Sequence, residues 1–214
     1  MAKKHFWKME YSITLFILLG LFMLFVPIKF ENYLQAGLIA KWNEQYNKVS
    51  YMFNVINAQA NDRILKSFAE AKSAVQREKL LLQLIKPYLR IYYSEKFPKR
   101  YKPRYMNGSR VHKKDYYWFD ELYFADNGMQ LVGIKDIVKT DENSPWFMMM
   151  FDINGVLPPN TWGKDIFGIH IYNEGKIQPF GYGKSIDELS KDCSAEGTGL
   201  DCSYYYMIGG EFDD

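Results

Sequence analysis

The chain has 214 residues, with 27 lysine and arginine residues against 25 aspartate and glutamate residues, so its net charge is +2. This balance gives the chain as a whole no electrostatic preference for nucleic acid. Hydrophobic residues make up 48% and charged residues 24%, which is typical of globular proteins and excludes wholesale disorder. Three histidines and two cysteines offer little material for a zinc-type metal site.

An uncharged apolar segment lies near the N-terminus, at residues 11–28. As a helix it reaches about 27 Å, close to the thickness of membrane hydrocarbon. Lys3, Lys4 and Lys8 precede it, and the positive-inside rule places such a flank in the cytosol. No small residues end the apolar run, which disfavours a cleaved secretory signal. The sequence therefore predicts one membrane span in residues 1–29, with a cytoplasmic N-terminus and the rest of the chain on the far side.

Two helical stripes follow in residues 30–91. The first predicts that the helix continues past Pro27 with one apolar face, and it consists of Leu38, Trp42, Tyr46, Val49, Phe53 and Ile56. The second runs from Ile64 to Leu89, with Asn61-Asp62 as a candidate cap. A stripe of this kind needs an apolar partner, so we expect the first to pack on a sheet and the second helix to lie beside it.

Residues 92–114 predict a long basic loop, because prolines and Asn107-Gly108 interrupt any regular spacing of apolar residues. Between residues 96 and 105 basic residues are interleaved with aromatic ones, and Arg110 and Lys113-Lys114 add further positive charge. Such a patch can hold single-stranded nucleic acid by phosphate contacts and base stacking. A run of charge is more often a solvated face, however, and nucleic acid is not an expected partner.

From Asp115 to the C-terminus the apolar period changes to two, which predicts antiparallel strands. Asp126-Asn127-Gly128 is typical of a tight hairpin. Helices first and strands afterwards predict an α+β fold, with a long N-terminal membrane-spanning helix packed on a small antiparallel sheet.

Phe6, Glu10 and Pro27 have the spacing of a known N-terminal signature. The N-terminus resembles that of type IV pilins and type II secretion pseudopilins. In that family a basic leader precedes a mature chain that starts with Phe, has Glu at its fifth position and Pro at its twenty-second. The resemblance implies that these three residues serve assembly: Glu10 would meet the amino terminus of a neighbouring subunit, or its Lys4 or Lys8, and Pro27 would bend the helix for packing. The alternatives are that Glu10 is a cytosolic charge at the membrane interface and that Pro27 marks the exit from the membrane.

A second stretch resembles the same family. Asp152-Ile153-Asn154-Gly155, followed by residues 159–167, is similar to a segment that links two sheet strands in many bacterial pilin-like proteins. The resemblance implies a pilin-like or pseudopilin subunit, a membrane-anchored structural and assembly protein of a type IV pilus or type II secretion-like system. It also implies an inner-membrane location, a periplasmic or extracellular C-terminal domain, and homologous pilin-like subunits or an assembly platform as partners.

His5 stands where the family has the glycine that precedes cleavage, so we expect the leader to remain. This departure leaves an alternative function: a single-pass, membrane-anchored extracytoplasmic binding or accessory module that does not enter a filament. Catalytic motifs such as G-x-S-x-G and H-E-x-x-H are missing from the sequence, and we expect no enzymatic activity.

Cys193 and Cys202 are the one cysteine pair, and both belong to the domain expected on the oxidising side of the membrane. A disulfide between them would close a short loop, and pilins commonly carry such a loop near the C-terminus. Two buried thiols or a reactive pair are the alternatives, although the spacing is not C-x-x-C.

Asp152 and Asn154 are candidate metal ligands, because hard cations such as Ca²⁺ bind clustered oxygens and some pseudopilins bind calcium in C-terminal loops. An EF-hand is excluded, since its sixth position would be Leu157 and its twelfth Gly163. The alternative is that these residues only form a turn before Gly155. We expect no other cofactor.

Overall fold

The computed structural model describes residues 3–60, 68, 70–91, 93–95, 101–126, 130–137, 144–172 and 175–211, without the side chains of residues 3–9, 24–32, 60 and 93–95. Helix α1 runs without interruption from Lys3 to Ala60, through Pro27, as the sequence predicts. The chain forms two compact units, Met1–Gly37 and Leu38–Asp214.

The predicted membrane-spanning helix is wrong. In the described part of the chain, no helix combines the length and the mean hydropathy that a membrane span requires. The single-pass location inferred from that helix loses its basis.

The predicted second helix is interrupted: Phe68 and Glu70 are helical, residues 71–73 are not, and a helix begins at Ala74. Helix α2 spans Ala74–Leu89, and the Ser73 hydroxyl caps it by accepting a hydrogen bond from the backbone N–H of Gln76. The candidate cap Asn61-Asp62 lies outside the described residues. Pro87 lies in the last turn, and the chain leaves the helix through Arg90 in a left-handed conformation.

The described residues form one antiparallel sheet of six strands. Each strand pairs with the next strand along the chain. They are β1 (Tyr93–Glu95), β2 (Leu122–Ala125), β3 (Gln130–Asp136), β4 (Phe147–Asp152), β5 (Ile166–Ile171) and β6 (Ile177–Pro179). The expected β2–β3 hairpin is present, with Ala125 opposite Gln130. Strand β1 lies inside the predicted loop. Tyr116–Phe119, which has the pattern of a strand, forms none, and Tyr116 and Tyr117 lie in a turn. The fold is therefore α+β.

Both faces of the sheet are covered, so β4 is buried at every position. One face packs against α2 and the second half of α1, and its strands contribute Val132, Met149 and Phe167. The other face packs against the segment between β1 and β2, which contributes Tyr101, Val111 and Phe119. Two short helices, α3 (Ile186–Asp192) and α4 (Cys202–Tyr205), follow the sheet, and a 3-10 turn at Tyr206–Ile208 comes after α4.

Candidate functional site

The first unit contains a helical segment that is apolar on all sides and exposed, Tyr11–Met23, here called the apolar segment. The exposed fraction of its large apolar side chains ranges from 46% at Leu19 to 75% at Phe16. Continuous apolar surface of this kind marks a site where a protein is covered by something else. The apolar segment is therefore a candidate interaction site.

The predicted assembly residues Phe6, Glu10 and Pro27 all lie in α1. Glu10 is exposed and comes directly before the apolar segment. The Thr14 hydroxyl donates a 2.9 Å hydrogen bond to the Glu10 carbonyl, a local contact within the helix. The side chains of Phe6 and Pro27 lie outside the described ones, so the assembly role of the three residues stays a prediction.

In the second unit, the stripe on α1 packs against the sheet, as the sequence predicts. Trp42, Val49 and Phe53 are at most 3% exposed. The Trp42 ring stacks on Phe167 of β5, with 4.9 Å between ring centroids and 12° between ring planes. This half of α1 therefore belongs to the core.

The disulfide between Cys193 and Cys202 is present, with 5.0 Å between the two Cα atoms, which confirms that prediction. It joins the end of α3 to α4. The next residue, Ser203, accepts two hydrogen bonds: its carbonyl accepts from Trp42 Nε1 at 2.8 Å, and its hydroxyl accepts from the Gly168 N–H at 3.0 Å. The disulfide loop is thereby attached to both α1 and β5.

Asp152, Asn154, Asn160 and Asp165 form what we call the turn cluster, at the connection between β4 and β5. Asp165 accepts hydrogen bonds from the backbone N–H groups of Asn160 at 2.8 Å and Thr161 at 2.6 Å. Asp152 accepts one from the Asn154 N–H at 3.3 Å, and the Asn154 amide donates to the Pro158 carbonyl at 3.3 Å. These bonds hold the connection in a folded turn, as the Asx residues before Gly155 predict.

Both carboxylates of the turn cluster are fully buried, at 0% exposure. Burial, with a smaller contribution from Asp165, raises the pKa of Asp152 well above its usual value, and burial raises the pKa of Asp165 to about 6. The Tyr101 hydroxyl hydrogen-bonds to Asp152, and its own pKa is raised by burial and by that carboxylate. The cluster thus holds two coupled acids beside one tyrosine.

Sequence reasoning singled out Asp152 and Asn154 as metal ligands but did not assign Asn160 and Asp165 to the same site. The sequence signal for these two residues is their position: Asp165 comes directly before a buried strand, and Asn160 directly follows two prolines. Among the described residues, no three histidine, cysteine, aspartate or glutamate side chains converge as a metal site. Any cation here would therefore need amide oxygens beside the two carboxylates.

The basic segment is more ordered than predicted. Tyr101 and Val111 are buried under the second face of the sheet, while Lys102, Arg104 and Arg110 are exposed. The Arg104 backbone bridges to Arg110 on one side and to Thr161 on the other. Residues 96–100 lie outside the described part of the chain. The described part of the segment covers one face of the sheet, and the outer surface of the segment is charged.

No protein-family model matches this chain, and no curated protein or solved structure matches it either. The resemblance to pilin-like proteins gains no support from these comparisons. It continues to rest on the N-terminal positions and on the segment around the turn cluster.

Proposed function

We propose that this protein is a pilin-like structural subunit that assembles with copies of itself through the apolar segment of α1. The observation that carries the proposal is the exposure of every described side chain from Glu10 to Met23. A helix that is apolar all round reaches a stable state only when its surface is buried. The same segment of a neighbouring copy has the matching surface.

The energetics favour a contact made by many side chains together. Burying one large apolar side chain contributes about 1.5–3 kcal/mol, whereas association costs about 4–15 kcal/mol in lost freedom. Several residues of the segment must therefore be buried at once. Phe16, Leu19 and Met23 are spaced so that they share one helix face and provide such a contact.

Glu10 supplies a charge at the start of this contact. A carboxylate at the edge of an apolar interface favours a neighbour that places a cation beside it and disfavours other registers. Lys4 or Lys8 of a neighbouring copy would provide that cation. In this proposal the apolar segment supplies the affinity and Glu10 sets the alignment.

Site-specific photo-cross-linking in cells tests the proposal. A benzophenone amino acid in place of Phe16 is expected to give adducts at multiples of the chain mass. The control probe replaces Tyr116, which is 49% exposed in the second unit, and is expected to give much less self-adduct. Adducts of the Phe16 probe with a different protein alone would contradict self-assembly and favour the accessory-module alternative.

A second variant tests the role of Glu10. Glu10→Gln removes the charge and is expected to weaken the self-adduct formed by the Phe16 probe. Glu44→Gln, at an exposed glutamate of the second unit, is the matched control and is expected to leave the adduct unchanged. Equal adduct yield in both variants would remove Glu10 from the proposal.

A further inference from the structure

We propose that a groove between α1 and the sheet in the second unit binds an extended peptide segment of another protein. The groove has a volume of about 470 Å³ and is here called the amide groove. Its walls include Gln45 and Lys48 of α1, Gln130 at the start of β3, and Asn154 just after β4. Ligand sites in proteins have volumes of about 300–1,000 Å³, so the groove is large enough to hold several residues of a chain.

The first observation is that two buried amide atoms in the wall of the groove have no partner. Gln45 is only 4% exposed, and its Nε2 has no hydrogen-bond partner. The side-chain oxygen of Asn154 is also buried without a partner, although its amide nitrogen donates to the Pro158 carbonyl. An unpaired buried donor or acceptor costs stability, and a ligand that pairs with it recovers that cost. Rotation about the last torsion of the Gln45 side chain brings its donor into the groove.

The amide groups of the groove match the hydrogen bonding of a polypeptide. Gln45, Gln130 and Asn154 each carry a carboxamide, which offers both a donor and an acceptor, as a peptide group does. An extended chain presents one N–H and one C=O at nearly every residue. The groove is also open to solvent, so a chain bound in it can continue beyond either end.

The charges around the groove disfavour a ligand of one sign. Lys41 and Lys48 stand against Glu44 and Asp126, and none of the ion pairs shown among the described residues involves them. A nucleic acid would need a surplus of positive charge, and a hard cation would need a surplus of carboxylates. Charges of both signs instead complement a peptide that carries both acidic and basic side chains.

The edge of the groove adds an apolar contact. Val156 and Leu157, in the connection between β4 and β5, are 44% and 63% exposed. They provide a surface for one apolar side chain of the bound peptide. The apolar segment of a second copy does not fit this description, because residues 11–23 carry no charge. The inference is therefore independent of the proposed self-assembly.

Panning a phage library of random heptapeptides against the full-length protein supplies a probe. We expect the enriched peptides to combine an apolar residue with acidic and basic neighbours. A fluorescein-labelled copy of the most enriched peptide then gives the dissociation constant by fluorescence anisotropy. Gln45→Leu should raise that constant by about tenfold, because a hydrogen bond of the bound peptide is lost. Asn47→Leu, at an exposed asparagine of α1, is the matched control and should leave it unchanged.

Thermal unfolding distinguishes a binding role of Gln45 from a structural one. Since its Nε2 is unpaired in the fold, Gln45→Leu should melt at or above the wild-type midpoint while peptide binding is lost. Lys48→Ala, at an exposed position, keeps the test decisive if Gln45→Leu does not fold, and it should raise the dissociation constant by about two- to fivefold. A library that yields no binding peptide would overturn the inference. So would enriched peptides that bind both variants as tightly as the wild-type protein.

Discussion

Trp42 Nε1 donates a 2.8 Å hydrogen bond to the carbonyl of Ser203, across 161 positions of the chain. The indole is fully buried, and Ser203 directly follows the disulfide-bonded Cys202. One side chain of α1 therefore fixes the helix to the sheet through Phe167 and to the disulfide loop through Ser203.

Trp42→Phe removes the donor and leaves the Ser203 carbonyl buried without it. We expect the free energy of unfolding to fall by about 2–4 kcal/mol, from the lost hydrogen bond and the smaller ring. Denaturant titration of the full-length protein measures this, and Tyr51→Phe, at a side chain 71% exposed on the same helix, is the control. Equal midpoints for Trp42→Phe and the wild type would show that the contact contributes nothing.

Phe53→Ala tests the packing of the α1 stripe. Phe53 is 3% exposed and belongs to the core beneath the sheet, so its truncation should cost about 3–5 kcal/mol. Lys48→Ala, on the exposed face of the helix, should change stability by no more than about 0.5 kcal/mol. Thermal melts compare the two variants. If Phe53→Ala melts like its parent, the stripe faces another subunit instead of the sheet.

Cys193→Ala combined with Cys202→Ala removes the disulfide. For a loop of this length, loss of the cross-link should lower the free energy of unfolding by about 2–3 kcal/mol. The same decrease should appear when the wild-type protein is unfolded in a reducing agent, and the double variant should not respond to that agent. A wild-type midpoint insensitive to reduction would contradict this role for the disulfide.

His170 gives the stability a pH dependence. Burial lowers its pKa to about 4, and its ring lies 4.5 Å from that of Phe180, between centroids. As the pH falls from about 6.5 to about 4, the unfolded chain binds a proton that the folded chain refuses, so the folded state loses stability. The full loss is at most about 3 kcal/mol. The difference between the unfolding curves of the wild type and His170→Gln isolates this effect, and a difference that does not vary with pH would refute it.

Local patterns predicted much of the second unit. The stripe from Trp42 to Ile56 is periodic, the hairpin signal before Gln130 is short-range, and Cys193 has one partner available. Each of these predictions needed only residues close in sequence or of a rare type. That is why the packed stripe of α1, the β2–β3 hairpin and the disulfide are all confirmed.

Features set by long-range packing escaped prediction. Tyr101 and Val111 cover the sheet from an irregular segment. The apolar residues of that segment therefore show no regular spacing along the chain. Strand β1 has only three residues and depends on its pairing with β2. Asp165 joins Asp152 only after the connection between β4 and β5 folds back, so spacing along the chain does not reveal the turn cluster.

For the apolar segment, the sequence predicted a feature that the structure does not show. Its composition led to the prediction of a membrane span, yet in the described chain no helix is sufficiently long and apolar for one. What composition does establish is that this surface needs to be covered. We propose that a second copy of the chain supplies this cover.

Co-isolation of two differently tagged full-length copies tests that claim most directly. We expect the second tag to be retained with the first, and we expect retention to be abolished when Phe16, Leu19 and Met23 are changed together to serine. Tyr51→Ser, at an equally exposed aromatic side chain of the second unit, should leave retention unchanged. Wild-type copies that fail to co-isolate, or a triple variant retained as well as the wild type, would contradict self-assembly through the apolar segment.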